Sequence, residues 1–375
     1  MNKPIIAALL LAALAADPLA GGAQSNSTYK IGVTYPLTGP LALNSAAVLA
    51  GADIAVADIN KAGGINGHPV ALAIEDSQGT PQGGISAMRK LVDVDGVQAI
   101  LTIFTNVVTA QMPLADQLKI PMLSTVETSG LVSKSQYSFA HSQAIAQEAP
   151  LLQAYWKGAG YKRIFAFYGN NAYGQNVAVP IKAAAQAAGV EAYDESFFDM
   201  SATDFRGVVA RAKDFKPDAI VLCAQGSAAE TTMLKQIREG GLNVQIFNPS
   251  NFFFDKGWRE AAGSLADGMI FTGANVDAAL PAGKNFVAVY KAKIGVEPGY
   301  QPAEAYDIIR LFAYSIGKSS YSGEAIRNVL AAVKGVPSVL GGTITMGADH
   351  YTVGTAAALW QARGNSEVKV TPPRK

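Results

Sequence analysis

This chain of 375 residues has one cysteine, three histidines and a charged fraction of only 16%. Each shortage removes a class of chemistry. Cys223, standing alone, permits no intrachain disulfide, and its place in the apolar run 219–224 marks it as a buried thiol. His68, His141 and His350 lie far apart with no metal-ligand spacing, so a zinc or copper site is not expected. The net charge is +1 with basic residues scattered, which gives nucleic acid no concentrated basic face. There is no G-x-x-x-x-G-K-[ST] phosphate loop, no G-x-S-x-G elbow, and no G-x-G-x-x-G after the first expected strand. Gly63, Gly64 and Gly67 fall between a helix and a strand, the wrong polarity for phosphate at a helix N-terminus. No cofactor is expected. A hydrolase assembled from residues distant in sequence stays open, although Glu127 and His141, the nearest candidates, have no evident partner.

At the N-terminus Lys3 precedes an apolar run from Ile5 to Ala16, roughly 12 residues and short of the ~20 that span a bilayer. Gly21 and Ala23 suit the −3 and −1 positions of a signal-peptidase site. Residues 1–23 thus read as a cleaved secretory signal, with a buried N-terminal helix as the alternative. No cysteine follows to carry a lipid, so an exported and then soluble protein is expected. A disulfide-free exported chain must hold together by packing alone, and about 350 residues at 49% apolar suffice for two cores.

Short β-branched runs then alternate with Ala-rich helical runs. Strands are expected at 29–35, 70–75, 97–104 and 121–124, with helices at 45–61, 81–94 and 108–118. After a break near Ser142 the pattern restarts: helices at 151–160, 174–188, 205–215 and 228–240, and strands at 163–168, 190–197, 219–223, 245–248 and 268–272. Strand–helix spacing of this kind builds βαβ units and parallel sheets, here as two successive lobes. A third block, with helices at 285–294, 303–316 and 325–333, lacks strands to cover and so packs back onto one of the two sheets. The chain therefore crosses between lobes more than once. Short strands at 343–345 and 355–361 end it.

Open α/β sheets bind ligands beyond the carboxyl ends of their strands. The polar loops there are 36–44, 105–106 and 125–129 in the first lobe, and 169–174, 225–227 and 249–254 in the second. Thr105, Asn106 and Thr128 each precede an expected helix start. Hydroxyls and backbone N–H groups at such a place suit a carboxylate, and equally serve as plain N-caps.

The opening IGVTYPLTGPLALNSAAVLAGADIAVADINKAGGINGHPVALAIEDSQGTP resembles that of periplasmic solute-binding proteins of the branched-chain amino-acid (Leu/Ile/Val-binding) type, components of ABC importers. IPMLSTVETSGLV, AYGQNVAVPIKAAAQAAGV, DFRGVVARAKDFKPDAIVLC and MLKQIREGGL are similar too, so the likeness runs through the mature chain. It implies the type I periplasmic binding protein fold: α/β, two Rossmann-like lobes with parallel sheets and a three-crossing hinge. By family pattern the N-terminal lobe is 28–144 with 275–336, and the C-terminal lobe is 145–274 with 337–375. The implied partners are a small carboxylate solute and an ABC permease in the inner membrane, for a monomeric protein that is not an enzyme. Implied carboxylate contacts are Thr105 with Asn106 and Thr128 with Glu127, and Tyr173 of the Y-G motif faces the ligand. The candidate set is Asn44, Thr105, Asn106, Glu127, Thr128, Tyr173, Ser227, Ser250, Asn251 and Phe252.

Two departures bear on the solute. Members that bind leucine-like amino acids place an acidic residue where this chain has Ser250, and the aromatic residue expected near 225–227 is missing. A buried ammonium with no carboxylate beside it costs several kcal/mol. The expectation is an organic or aromatic acid lacking a free α-ammonium; the run Phe252-Phe253-Phe254, with Trp258 and Tyr173, suits the wall of an aromatic site and equally suits core packing under a loop. An amino acid stays open if Glu127 supplies the missing charge. A sensor feeding a membrane receptor is the alternative to transport, and an exported enzyme of the same two-lobe shape the next.

Overall fold

The computed structural model describes residues 27–39, 41–42, 45–126, 130–142, 145–249, 256–274, 276, 278–355, 357–364 and 366–373. The first βαβ run is β1 (Tyr29–Tyr35), α1 (Ser45–Lys61), β2 (Val70–Asp76), α2 (Pro81–Asp93), β3 (Ile100–Thr102), α3 (Thr105–Leu118), β4 (Met122–Ser124) and β5 (Ser138–Ala140). Its strands pair in the order β2-β1-β3-β4-β5, every pair parallel. β1, from Ile31 onward, and β3 and β4 throughout are buried on both faces, as the middle of a parallel sheet requires.

The second run is α4 (Ile145–Ala159), β6 (Arg163–Gly169), α5 (Ala172–Ala188), β7 (Ala192–Phe198), α6 (Arg206–Phe215), β8 (Ala219–Cys223), α7 (Ala228–Glu239), β9 (Gln245–Asn248), α8 (Lys256–Ala262) and β10 (Ile270–Gly273). The third block is α9 (Pro281–Ile294), α10 (Tyr300–Lys318) and α11 (Gly323–Ala331), and β11 (Val336–Pro337), β12 (Thr343–Met346), β13 (Thr352–Val353), β14 (Ala358–Arg363) and β15 (Ser366–Val370) complete the chain. The second sheet runs β15-β14-β10-β9-β8-β6-β7. Its βαβ strands are parallel, and β14 and β15 join antiparallel at one edge. No described helix is long and apolar enough to cross a membrane.

The strand-poor third block packs onto the first lobe. α10 lies along α1 so closely that a Cβ on Gly51 would come within 2.0 Å of the Pro302 carbonyl oxygen. Tyr306 Oη donates to Asp58 Oδ2 at 2.8 Å, and Lys293 pairs with Asp53 at 2.7 Å, fastening α10 and α9 to the same helix.

The segment after Val336 differs from expectation. Family pattern assigns everything from Pro337 to the second lobe, but residues 337–353 hydrogen bond to the first. Ala140 bridges Tyr351 in parallel, His350 stacks on Phe139 at 4.6 Å, and the Ser338 hydroxyl donates to Asp307 Oδ2 at 2.5 Å. The small antiparallel sheet β11-β12-β13 thus extends the edge beyond β5, which would otherwise expose unpaired backbone groups. The chain passes between lobes after β5, after β10 and between β13 and β14.

Two crossings meet at a buried polar knot. His141 Nδ1 lies 2.9 Å from Thr352 Oγ1, and its Nε2 lies 3.6 Å from Asp307 Oδ2. His141 therefore lies beside a carboxylate that sequence did not reveal, too far for a hydrogen bond. Ser338, however, bonds to Asp307 and not to the imidazole, so the order of a hydrolytic triad is not formed. The three side chains join the first lobe to the segments entering the hinge.

Candidate ligand-binding site

Parallel strands point their carboxyl ends toward the gap between the lobes, and the loops that follow line it. A small, half-open cavity of about 20 Å³ is bordered by Ile103, Phe104, Thr105, Thr125 and Val126, which follow β3 and β4. Tyr173 and Gln225 close it from the second lobe, while Tyr300 and Gln301 enter from the start of α10. None of these nine residues is charged, and three are aromatic. A neighbouring chamber is lined by Gln78, Thr80 and Asn106 on one side and by Asn170, Asn171, Asp199 and Met200 on the other.

Helix N-termini meet at the cavity. α3 begins at Thr105 rather than Val108, so Thr105 and Asn106 form its first turn instead of preceding it. Its N-cap residue, Phe104, makes no side-chain cap bond, and neither does Gly299 at the head of α10. Uncapped first turns present N–H groups and the positive end of the helix dipole, which favour an anion by about 0.3–1 kcal/mol each, and up to ~2 when partly buried.

Buried polar atoms reinforce the point. Thr125 Oγ1 and Gln301 Oε1 are shielded from solvent yet have no hydrogen-bond partner, and both residues line the cavity. Asn106 Oδ1 is also unpartnered, while its Nδ2 donates to the Gly79 carbonyl at 2.7 Å. Buried polar groups are nearly always paired, so orphans around one cavity mark a place where a ligand completes the bonding.

Strain collects here too. Phe104 (φ 68°) and Gln225 (φ 58°) both adopt positive φ and both line the cavity. Non-glycine residues hold such conformations only where their surroundings over-determine them.

The supporting side chains are well bonded. On the first lobe, Gln111 Nε2 donates to Thr34 Oγ1 (3.1 Å) and to the Gly84 carbonyl (2.8 Å), while its Oε1 accepts from Thr102 Oγ1 at 2.7 Å. This fixes α3 against β1 and β3 and so aims Thr105. Asp76 anchors the loop after β1 by accepting from Leu37 N, Thr38 Oγ1 and Gln78 N. Burial pulls its carboxyl upward, but the Thr38 hydroxyl and the backbone N–H groups outweigh it and hold the pKa below the ordinary value.

On the second lobe, Asn171 caps α5 by accepting from Gly174 N at 2.9 Å. Its Nδ2 donates to Gln225 Oε1 at 2.6 Å, tying the loops after β6 and β8 together. That leaves the donor end of the Gln225 amide for a ligand. Cys223, a buried free thiol, donates to Tyr173 Oη at 3.5 Å from beneath. Glu230 is fully buried behind the Gln225 turn. Burial pushes its carboxyl up to about 7, against the pull of the Ala224 and Gly226 amides and the Asn248 and Trp258 side chains.

Of the residues proposed from sequence, Thr105 and Tyr173 line the cavity and Asn106 the adjoining chamber. Ser227 does not line it: it is fully buried as the N-cap of α7, accepting from Glu230 N at 3.2 Å, and Gln225 takes the cavity-facing place in that loop. Trp258 is likewise absent from the lining, being buried in the core. Asn44, Glu127, Thr128, Ser250, Asn251 and Phe252, with Phe253 and Phe254, lie outside the described residues, as does the signal segment 1–23. Thr125, Tyr300 and Gln301 were missed. Thr125 sits in a loop singled out from sequence, whereas Tyr300 and Gln301 lie in the third block, where only the packing of α10 on the first lobe brings them to the gap. Among the described residues no group of three His, Cys, Asp or Glu is placed to hold a metal ion.

Comparison with known proteins gives a consistent picture. A model of the periplasmic binding protein family matches residues 28–367. The chain is 28% identical over 340 residues to a Leu/Ile/Val-binding protein homolog of Brucella melitensis, covering 89% of this chain and 88% of that one. Among solved structures it resembles the branched-chain amino acid transporter substrate-binding protein LivJ of Streptococcus pneumoniae in complex with isoleucine (TM-score 0.82, 24% identity, 92% and 100% of the two chains). It also resembles an ABC transporter solute-binding protein of Rhodopseudomonas palustris in complex with benzoate (TM-score 0.81, 19% identity, 92% and 96% of the two chains). At these identities the two structures speak for the fold alone.

Proposed function

The chain belongs to the periplasmic binding protein family, and on that premise we propose that it captures a small carboxylic acid, aromatic in character and without a free ammonium, for delivery to an ABC permease. The observation that carries this reading is the composition of the cavity between the lobes: uncharged throughout its described lining, three aromatic rings, two uncapped helix N-termini and an unpartnered threonine hydroxyl. A carboxylate is suited to the first turn of α3 and Thr125, the donor end of Gln225 approaches from the opposite lobe, and Phe104, Tyr173 and Tyr300 flank a ring. An α-amino acid would bring an ammonium that no described lining residue neutralises.

Capture proceeds by closure. The acid binds first to the lobe bearing α3 and α10, and the second lobe then swings in with Tyr173 and Gln225, expelling water and completing the bonds. Closure requires that the acid favour the closed state. A micromolar solute supplies about 8 kcal/mol in all, enough for a few kcal/mol of preference between open and closed.

Calorimetric titration against benzoate, hydroxybenzoates, phenylpropanoid acids and leucine tests the reading. Micromolar binding of an aromatic acid, with a smaller radius of gyration on saturation, is expected. Micromolar leucine binding with no aromatic acid bound would overturn the assignment of solute class, and an unchanged radius would overturn closure.

A further inference from the structure

The turn after β8 holds two successive residues in the left-handed region, Gln225 (φ 58°) and Gly226 (φ 64°). Glycine adopts this freely, but glutamine does so only when something else fixes the backbone. That something is one carboxyl group. Glu230 Oε2 accepts from Ala224 N and from Gly226 N (3.4 Å), the amides on either side of Gln225. Glu230 Oε1 accepts from Asn248 Nδ2 at 2.9 Å, at the very end of β9. The Glu230 amide in turn donates to Ser227 Oγ at 3.2 Å. Ser227-Ala228-Ala229-Glu230 is thus a capping box whose glutamate reaches past the N-cap to the turn before it and to the neighbouring strand.

We propose that Glu230 is the positioning residue of the second-lobe contact, holding Gln225 in its left-handed conformation with its amide presented to the cavity, and so setting the affinity for the solute. The affinity half of this rests on the capture reading above, whereas the loop half does not. A surface glutamate would suffice to cap α7. Full burial makes sense for a group that must bond to two amides and a second strand at once, because an ionised carboxylate accepts from all of them and makes stronger bonds than a neutral acceptor. The elements around it bring Cys223 from β8 and, on α8, Arg259 beside Trp258; the groups acting on it are the two amides, Asn248 and Trp258, all neutral. Protonation converts one oxygen into a donor facing groups that are themselves donors, so a turn that opens while Glu230 stays buried is held best when Glu230 is ionised, although ionising the buried carboxyl costs the fold as a whole.

Amide hydrogen exchange of the whole protein at pH 5.5 and 8.5, corrected for intrinsic rates, tests this in wild type, Glu230→Gln and Glu230→Ala, with benzoate affinity measured on the same samples. In wild type, a peptide covering 224–227 is expected to be about tenfold better protected at pH 8.5, the change that loss of one charge-assisted bond produces. Glu230→Gln, whose amide can still pair with the turn and with a reoriented Asn248, removes the pH difference and stays within about threefold of wild type in affinity. Glu230→Ala loses protection in this turn while the core strands keep theirs, and benzoate binds about tenfold more weakly. Unchanged protection of 224–227 in Glu230→Ala, or a pH difference persisting in Glu230→Gln, overturns the proposal. Loosened turns with unaltered benzoate affinity overturn its affinity half. If wild type binds no benzoate, the aromatic-acid reading fails, and the exchange comparison still decides the role of Glu230.

Discussion

Replacing Thr125 with valine should make the protein more stable and the binding worse. Thr125 is 3% exposed, and its Oγ1 has no hydrogen-bond partner. A buried hydroxyl without a partner costs about 1–3 kcal/mol, less if a trapped water serves it. Valine keeps the β-branched shape, so Thr125→Val leaves no cavity and removes that cost, for a gain of about 0–2 kcal/mol. The bound state changes in the opposite direction. A hydroxyl donating to a carboxylate contributes about 1.5–3 kcal/mol, which corresponds to roughly 10- to 150-fold in affinity. Urea unfolding of the solute-free protein and calorimetric titration with benzoate measure the two halves. A structural threonine would behave in the reverse way, losing stability on substitution with no change in binding. A loss of more than about 1 kcal/mol, or an affinity within twofold of wild type, would refute the argument that the orphaned hydroxyl waits for a ligand.

Other expectations follow from buried groups away from the solute. The folded Glu230 carboxyl titrates at about 7 against an ordinary 4.5, so between those values the folded state holds a proton that the unfolded state has lost. Stability is therefore fullest below about pH 4.5, declines by on the order of 3 kcal/mol toward pH 7 and is level above it, and urea unfolding across that range should show this contribution vanish in Glu230→Gln. Gln111→Leu breaks the bonds to Thr34, Thr102 and the Gly84 carbonyl and should cost about 2–4 kcal/mol in the same assay; a loss under 1 kcal/mol would mean that the network does not hold α3. Gly51→Ala drives a methyl to 2.0 Å from the Pro302 carbonyl, and since backbone cannot swing aside, about 3 kcal/mol or more should be lost.

Buried parallel strands bounded by breakers were the most legible parts of the chain. β8 and β9 were readable residue for residue, because runs such as Ala219–Cys223 have nowhere to go but the middle of a sheet. Helix starts were less so. Thr105 and Asn106 look like loop, and the true N-cap is Phe104, whose positive φ no propensity would suggest. α10 begins three residues before the expected Ala303 because Pro302 is tolerated in a first turn. Cavity residues from the third block were hidden for a different reason: Tyr300 and Gln301 reach the gap only through the long-range packing of α10 on α1, to which local sequence is blind. The Ser-x-x-Glu capping box at 227–230 was in plain view, but nothing in its spacing tells that the glutamate turns inward. The two-residue strands β11 and β13 carry no periodic signal, which is why the third crossing was expected too early, at 337 instead of after β13.

A crystal structure of the protein grown with saturating benzoate tests the central claim most directly. The account predicts the acid enclosed between the lobes, one carboxylate oxygen about 2.7–3.1 Å from Thr125 Oγ1 and the other at the first turn of α3, with the ring between Phe104 and Tyr173. Benzoate bound outside that cavity, or a cavity left empty with the lobes unmoved, would contradict it.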